Sequence, residues 1–97
     1  MGELTHHYCV LLDTNREAFA QSRYLVAYHS LAAAMYCAVG AKDAPRLEEV
    51  LHLGYEQLDE LIGRLGDVDF PDEPVEVSLY RSLVQMTRTR LLLFGKS

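Results

Sequence analysis

Tryptophan is missing from this 97-residue sequence, cysteine occurs twice and proline three times. Two cysteines, Cys9 and Cys37, are too few for a disulfide framework, so the apolar core has to hold the fold. The greasiest run, Tyr24 to Val39, contains His29 and Ser30 and falls short of the ~20 residues that a bilayer-spanning helix needs, which excludes a membrane role. The opening residues, Met1 to His7, show no basic segment followed by an apolar one, and His6 stands where a myristoylation signal wants Ser or Thr. A reducing cytoplasm is therefore the expected compartment. There is no glycine-rich phosphate loop, no Gly-x-Ser-x-Gly elbow and no paired-cysteine motif, so the familiar catalytic frameworks are lacking and no cofactor is expected. Basic side chains number 9 against 14 acidic ones, a net charge of -5 that argues against a nucleic-acid or membrane-surface binder.

What is present is the composition of an ordinary globular chain, 49% hydrophobic and 24% charged. One helical domain spanning 1–97 is expected, and at this length folding hides only about two-thirds of the unfolded chain's surface. Two punctuation zones, Gly40 to Pro45 and Gly66 to Pro74, each combine a glycine, a capping aspartate and a proline suited to a first helical turn. They divide the chain into three helices, at about 14–39, 45–65 and 73–94.

Thr14 and Glu17 have capping-box spacing and set the expected start of the first helix. That helix is apolar around most of its circumference, with Leu25, Tyr28, Ala32, Met35 and Val39 on one face and Tyr24, Ala27, Leu31, Ala34 and Ala38 beside it, the pattern of a central helix enclosed by neighbours. In the second helix, Leu47, Leu51, Gly54, Leu58, Leu61 and Leu65 form a narrow stripe that packs at a shallow crossing angle. Gly54 within the stripe marks a close helix approach. Its opposite face carries Glu48, Glu49, Glu56, Asp59 and Glu60, a solvated surface. The third helix has acidic residues at its start and Arg88, Arg90 and Lys96 toward its end, an order that suits the helix dipole. Residues 1–13 are the least determined: His7 to Leu12 has a strand-like composition, but a strand without a partner is unstable, and a helical turn is favoured.

Few constellations carry chemistry. His6, His7 and Cys9 are the most metal-like cluster, but a closed site needs a fourth ligand at workable spacing. His52 lies four residues from Glu48 and Glu56, the arrangement of ordinary pairing on a helix surface. The segment from Arg23 to His29 resembles the arginine-to-histidine motif of HEPN-type helical ribonucleases. That resemblance implies a dimer in which Arg23 and His29 act on RNA phosphodiesters. The first two helices, through Tyr28, Leu31, Ala32, Met35 and Gly40, also resemble a tetratricopeptide hairpin, which implies peptide or protein binding.

The expected fold is an all-α, up-down-up three-helix bundle completed by dimerisation, because three helices leave apolar surface uncovered, above all on the broad faces of the first helix and at Leu91 to Phe94. Tyr24, Tyr28, Met35, Leu91 and Phe94 are the expected interface residues. The expected function is a non-catalytic helical interaction module with a homodimeric or unidentified protein partner, and the ribonuclease is its alternative.

Overall fold

A computed structural model of the chain describes residues 2–66 and 72–94, with side chains from His6 onward. It corrects the expected three-helix count. Four helices run in chain order, α1 (Gly2–Ala20), α2 (Tyr24–Gly40), α3 (Ala44–Leu65) and α4 (Val75–Phe94). The expected first helix is in fact broken at residues 21–23. At the end of α1 the Arg23 amide donates to the Ala18 carbonyl (2.8 Å) and the Ser22 amide to that of Phe19 (3.0 Å), while Ser22 adopts a left-handed φ of 60°. This is the Schellman stop, with serine in the place that glycine usually takes. Its hydrogen bonds satisfy carbonyls that a continuing helix would have used.

The same device ends α2. Asp43 donates from its amide to Ala38 (2.9 Å), Lys42 to Val39 (3.1 Å), and Lys42 has φ 53°. Gly40 is thus the last helical residue, and the stop belongs to Lys42. Thr14, expected as a cap, sits inside α1 and donates its hydroxyl back to the Val10 carbonyl at 2.9 Å. Residues His7 to Leu12 are helical.

The punctuation read from glycine and proline holds elsewhere. Asp43 caps α3, accepting from the Arg46 amide at 3.1 Å, with Pro45 in the first turn. Gly66 closes α3 at φ 96°, a conformation that an L side chain resists. Before α4, the Glu73 carboxylate accepts from the Ser78 hydroxyl (2.7 Å) and from Arg81 Nε (2.8 Å). The Ser78 bond, then Arg81, hold its pKa below the usual carboxylate range.

Contacts fix the directions. Tyr8 meets Arg46, Asn15 meets Gln57 and Phe19 meets Arg64, so α1 and α3 run parallel. Tyr28 packs on Tyr80 and Met35 on Thr87, so α2 and α4 do too. Helices adjacent in sequence are antiparallel, and α2 touches all three others. The radius of gyration of the Cα trace, 13.4 Å, is close to the ~13 Å of a compact 100-residue domain.

The core is formed by Ala27, Leu31, Ala34 and Met35 of α2, together with Leu47, Val50 and Leu61 of α3 and Val77 and Tyr80 of α4. Gly54 lies where α3 meets α4 and α2: a Cβ there would stand 3.1 Å from Val84 Cγ2 and 3.8 Å from Leu31 Cδ2. This matches the close approach that the leucine stripe implied.

At the middle of the bundle lies a buried polar network that reaches all four helices. The Asn15 and Gln57 amides pair reciprocally, Asn15 Nδ2 donating to Gln57 Oε1 (3.0 Å) and Gln57 Nε2 to Asn15 Oδ1 (2.7 Å). Asn15 Nδ2 also donates to the Ala27 carbonyl (2.7 Å), and the Tyr80 hydroxyl to Gln57 Oε1 (2.7 Å). Among the described residues, no buried side-chain nitrogen or oxygen lacks a partner. Such a network is satisfied in one register only, so it selects a single helix arrangement from those the grease alone would allow.

Candidate functional site

α2 is built from seventeen residues, none of them Asp, Glu, Lys or Arg. Helical geometry turns Ala27, Leu31, Ala34 and Ala38 inward. It leaves Leu25, Val26 and Tyr36 outward, each about half exposed at 49%, 48% and 53%. His29 and Gly40 are exposed on the same side. A surface helix normally turns charged residues to water. This one does not.

The neighbouring flank of α4 extends this face. Val75, Leu79, Ser82, Met86, Thr89 and Leu93 recur at alternating spacings of four and three, the row that lines a helix-packing seam. Val75, Met86 and Leu93 are exposed and Leu79 half-buried. The Tyr36 hydroxyl donates to Met86 Sδ at 3.6 Å, joining the two helices across the face. The expected enclosure of α2 thus applies to one side only.

The expected interface residues divide. Tyr24, Tyr28, Leu91 and Phe94 are partly buried and pack against the core. Tyr28 stands with its ring edge toward His29, centroids 4.9 Å apart, and borders the outer face. Tyr24 packs beneath α3: its hydroxyl accepts from Arg64 Nη1 (2.9 Å) and donates to Ser22 (3.3 Å). The Ser22 bond, then the Arg64 guanidinium, lower its pKa. Met35 is a correction. It is fully buried within the single chain, its sulfur accepting from the Thr87 hydroxyl at 3.2 Å, because the α2 face that carries it turns toward α4.

The residues with a chemical alternative remain apart. Arg23 precedes α2 as its N-cap position and His29 lies within it, both exposed. Among the described residues no hydrogen bond, ion pair or ring contact joins them. The His6 and His7 rings lie 5.8 Å apart and Cys9 is exposed. No group of three or more His, Cys, Asp or Glu side chains placed to hold a metal occurs among the described residues. His52 Nε2 lies 3.8 Å from Glu56, a solvated pair on α3.

A hollow of about 960 Å³ lies along α1 and α3, with Leu91 of α4 in its wall, and opens to solvent. Tyr8 ties its two sides together. The Tyr8 hydroxyl donates to Glu49 Oε1 (2.5 Å) and approaches the Arg46 carbonyl (3.1 Å), and the Arg46 guanidinium lies over the Tyr8 ring. Burial, reinforced by Glu49, pushes the Tyr8 pKa up. These contacts fasten α1 to α3.

Comparison with family models, with curated proteins and with solved structures returned no match to this chain. Sequence reasoning missed Asn15, Gln57 and Tyr80 as a unit; it expected the broad faces of α2 to stay uncovered but did not name Leu25, Val26 and Tyr36 among the interface residues. The signal for that face was visible, since no charge falls between Arg23 and Lys42.

Proposed function

We propose that this chain is a non-catalytic helical protein-interaction module that works as a homodimer. The observation that carries the reading is the outer face of α2, which offers water three half-exposed large apolar side chains and no charge. Finishing the burial of each is worth ~1 kcal/mol, about half of a full side-chain burial. A lone helix face of this kind favours a covering surface, and two-fold pairing is the commonest way to provide one. Tyr28 and His29 border this face, and Tyr24, Leu91 and Phe94 pack against the core of each copy.

Two further observations agree with action in the cytoplasm. Among the described residues no helix is long and apolar enough to cross a membrane, and Cys9 and Cys37 are both free thiols. Sedimentation velocity at micromolar concentration tests the reading. A species of twice 11.0 kDa supports it, and a strictly monomeric chain overturns it. RNA cleavage by the purified protein that disappears with His29→Ala would replace it with the ribonuclease alternative.

A further inference from the structure

We infer that the partner on this face is a second copy of the chain, seated with α2 and α4 against α2 and α4 of its mate about a two-fold axis that makes the paired helices antiparallel. The inference rests on the self-association proposed above and adds to it the surface and the direction.

Charge is the first argument for a second copy. The chain carries -5 overall, so most ways of bringing two copies together set acidic surface against acidic surface. The outer ridge of α3 shows the problem: Glu48, Glu49, Glu56, Asp59 and Glu60 are all exposed there. The α2 face has no charged residue, and the α4 seam from Val75 through Leu79, Ser82, Met86 and Thr89 to Leu93 contains none either. The charges nearest these rows are Glu76 and Arg90 of α4, one of each sign, so two copies can meet there with opposite charges paired.

Area is the second. Seventeen residues of helix run ~25 Å, and two helices packed side by side are ~20 Å across, so the face covers about 500 Å² on each copy. Two such faces come to about 1,000 Å², the size at which a specific contact becomes credible. At that size the contact belongs with transient pairings and not with obligate ones.

The direction follows from the polarity of α4. Glu76 lies in its first turn, Arg90 in its last third, and both fall beside the seam on the flank toward α2. The two are disposed about evenly around Leu83, the middle of the helix. In an antiparallel pair the Arg90 of one copy comes opposite the Glu76 of the other, twice over. A parallel pair would set Arg90 against Arg90 and Glu76 against Glu76, and repel. Charge pairs with solvent access contribute little affinity, but they decide orientation.

The test measures the dimer dissociation constant of full-length variants by sedimentation equilibrium, with circular dichroism as the check on folding. Tyr36→Glu and Met86→Glu each place a carboxylate in the contact twice, and each should raise the constant at least ~100-fold. Tyr55→Glu, on the exposed part of α3, should leave it unchanged. Glu76→Arg and Arg90→Glu should each weaken the dimer by about threefold to tenfold, and the double variant, which restores opposite charges across the axis, should recover wild-type affinity. Isotope-filtered NMR on a mixture of labelled and unlabelled wild-type chains gives an independent readout, with contacts between copies at the Leu25 and Met86 side chains. A wild-type dimer indifferent to Tyr36→Glu and Met86→Glu, or lacking those contacts, overturns this surface and leaves self-association standing. Failure of the charge-swapped double variant to recover overturns the antiparallel arrangement. A monomeric wild-type chain overturns both this inference and the reading beneath it.

Discussion

Replacing Gln57 by leucine should expose how the bundle keeps its register. Gln57 is 6% exposed and is the hub of the internal network, exchanging hydrogen bonds with Asn15 and accepting one from Tyr80. Gln57→Leu keeps the volume but strands the Asn15 carbonyl oxygen and the Tyr80 hydroxyl, at ~1–3 kcal/mol for each unpaired buried group. Better apolar burial recovers part of that, so the net loss should be about 3 kcal/mol, a large share of the ~5–15 kcal/mol that holds a domain this size together. Asn15→Leu strands the Gln57 amide nitrogen and should cost about 2 kcal/mol; Tyr80→Phe strands nothing and should cost about 1 kcal/mol. The triple variant has no polar group left to strand, and its loss should be ~2 kcal/mol or less, against a sum of singles near 6 kcal/mol. Urea unfolding followed by far-ultraviolet circular dichroism, at one fixed protein concentration, measures all four. Losses that add within ~0.5 kcal/mol would refute the claim that the three side chains act as a unit.

Other consequences follow from the backbone and from titration. Ser22→Gly and Lys42→Gly should each stabilise by ~0.5–1 kcal/mol in thermal or urea unfolding, because both residues hold positive φ without a glycine's freedom. Gly54→Ala should destabilise although alanine favours helix, since its Cβ meets Val84, a β-branched residue with one favoured helical rotamer; in a Val84→Ala background the same change should stabilise by up to ~1 kcal/mol. Burial raises the pKa of Tyr80 from its ordinary 10.0, so the fold prefers the neutral phenol. That contribution is intact below pH ~10 and is lost as pH climbs toward the folded value, at up to ~1.4 kcal/mol per pH unit. Stability measured across alkaline pH should fall in that sense, and Tyr80→Phe should flatten the decline.

Much of this architecture can be read from local signals. The Leu47, Leu51, Gly54, Leu58, Leu61 stripe identifies the inner face of α3, and Asp43 with Pro45 marks its start, because a cap and a 3.6-residue period are properties of neighbouring residues. The division of the first helical stretch was hidden because its stop uses Ser22; the stop after α2 falls within one residue of where the Gly40 to Pro45 zone puts it, although its left-handed residue is Lys42. A reading based on glycine and proline passes over a left-handed serine. Asn15 and Gln57, 42 positions apart, carry no local mark of their pairing. The site was half legible. The grease of α2 is plain in the sequence, but which arc of it faces water depends on where α1, α3 and α4 lie, and so Met35 was expected at a surface that it does not reach.

Solution X-ray scattering across a range of protein concentrations tests the central claim most directly. The account predicts an apparent mass that climbs from 11.0 kDa toward twice that value, with a radius of gyration that grows beyond that of a single chain, 13.4 Å for its Cα trace. A mass fixed at 11.0 kDa and a single-chain radius at every concentration would contradict it.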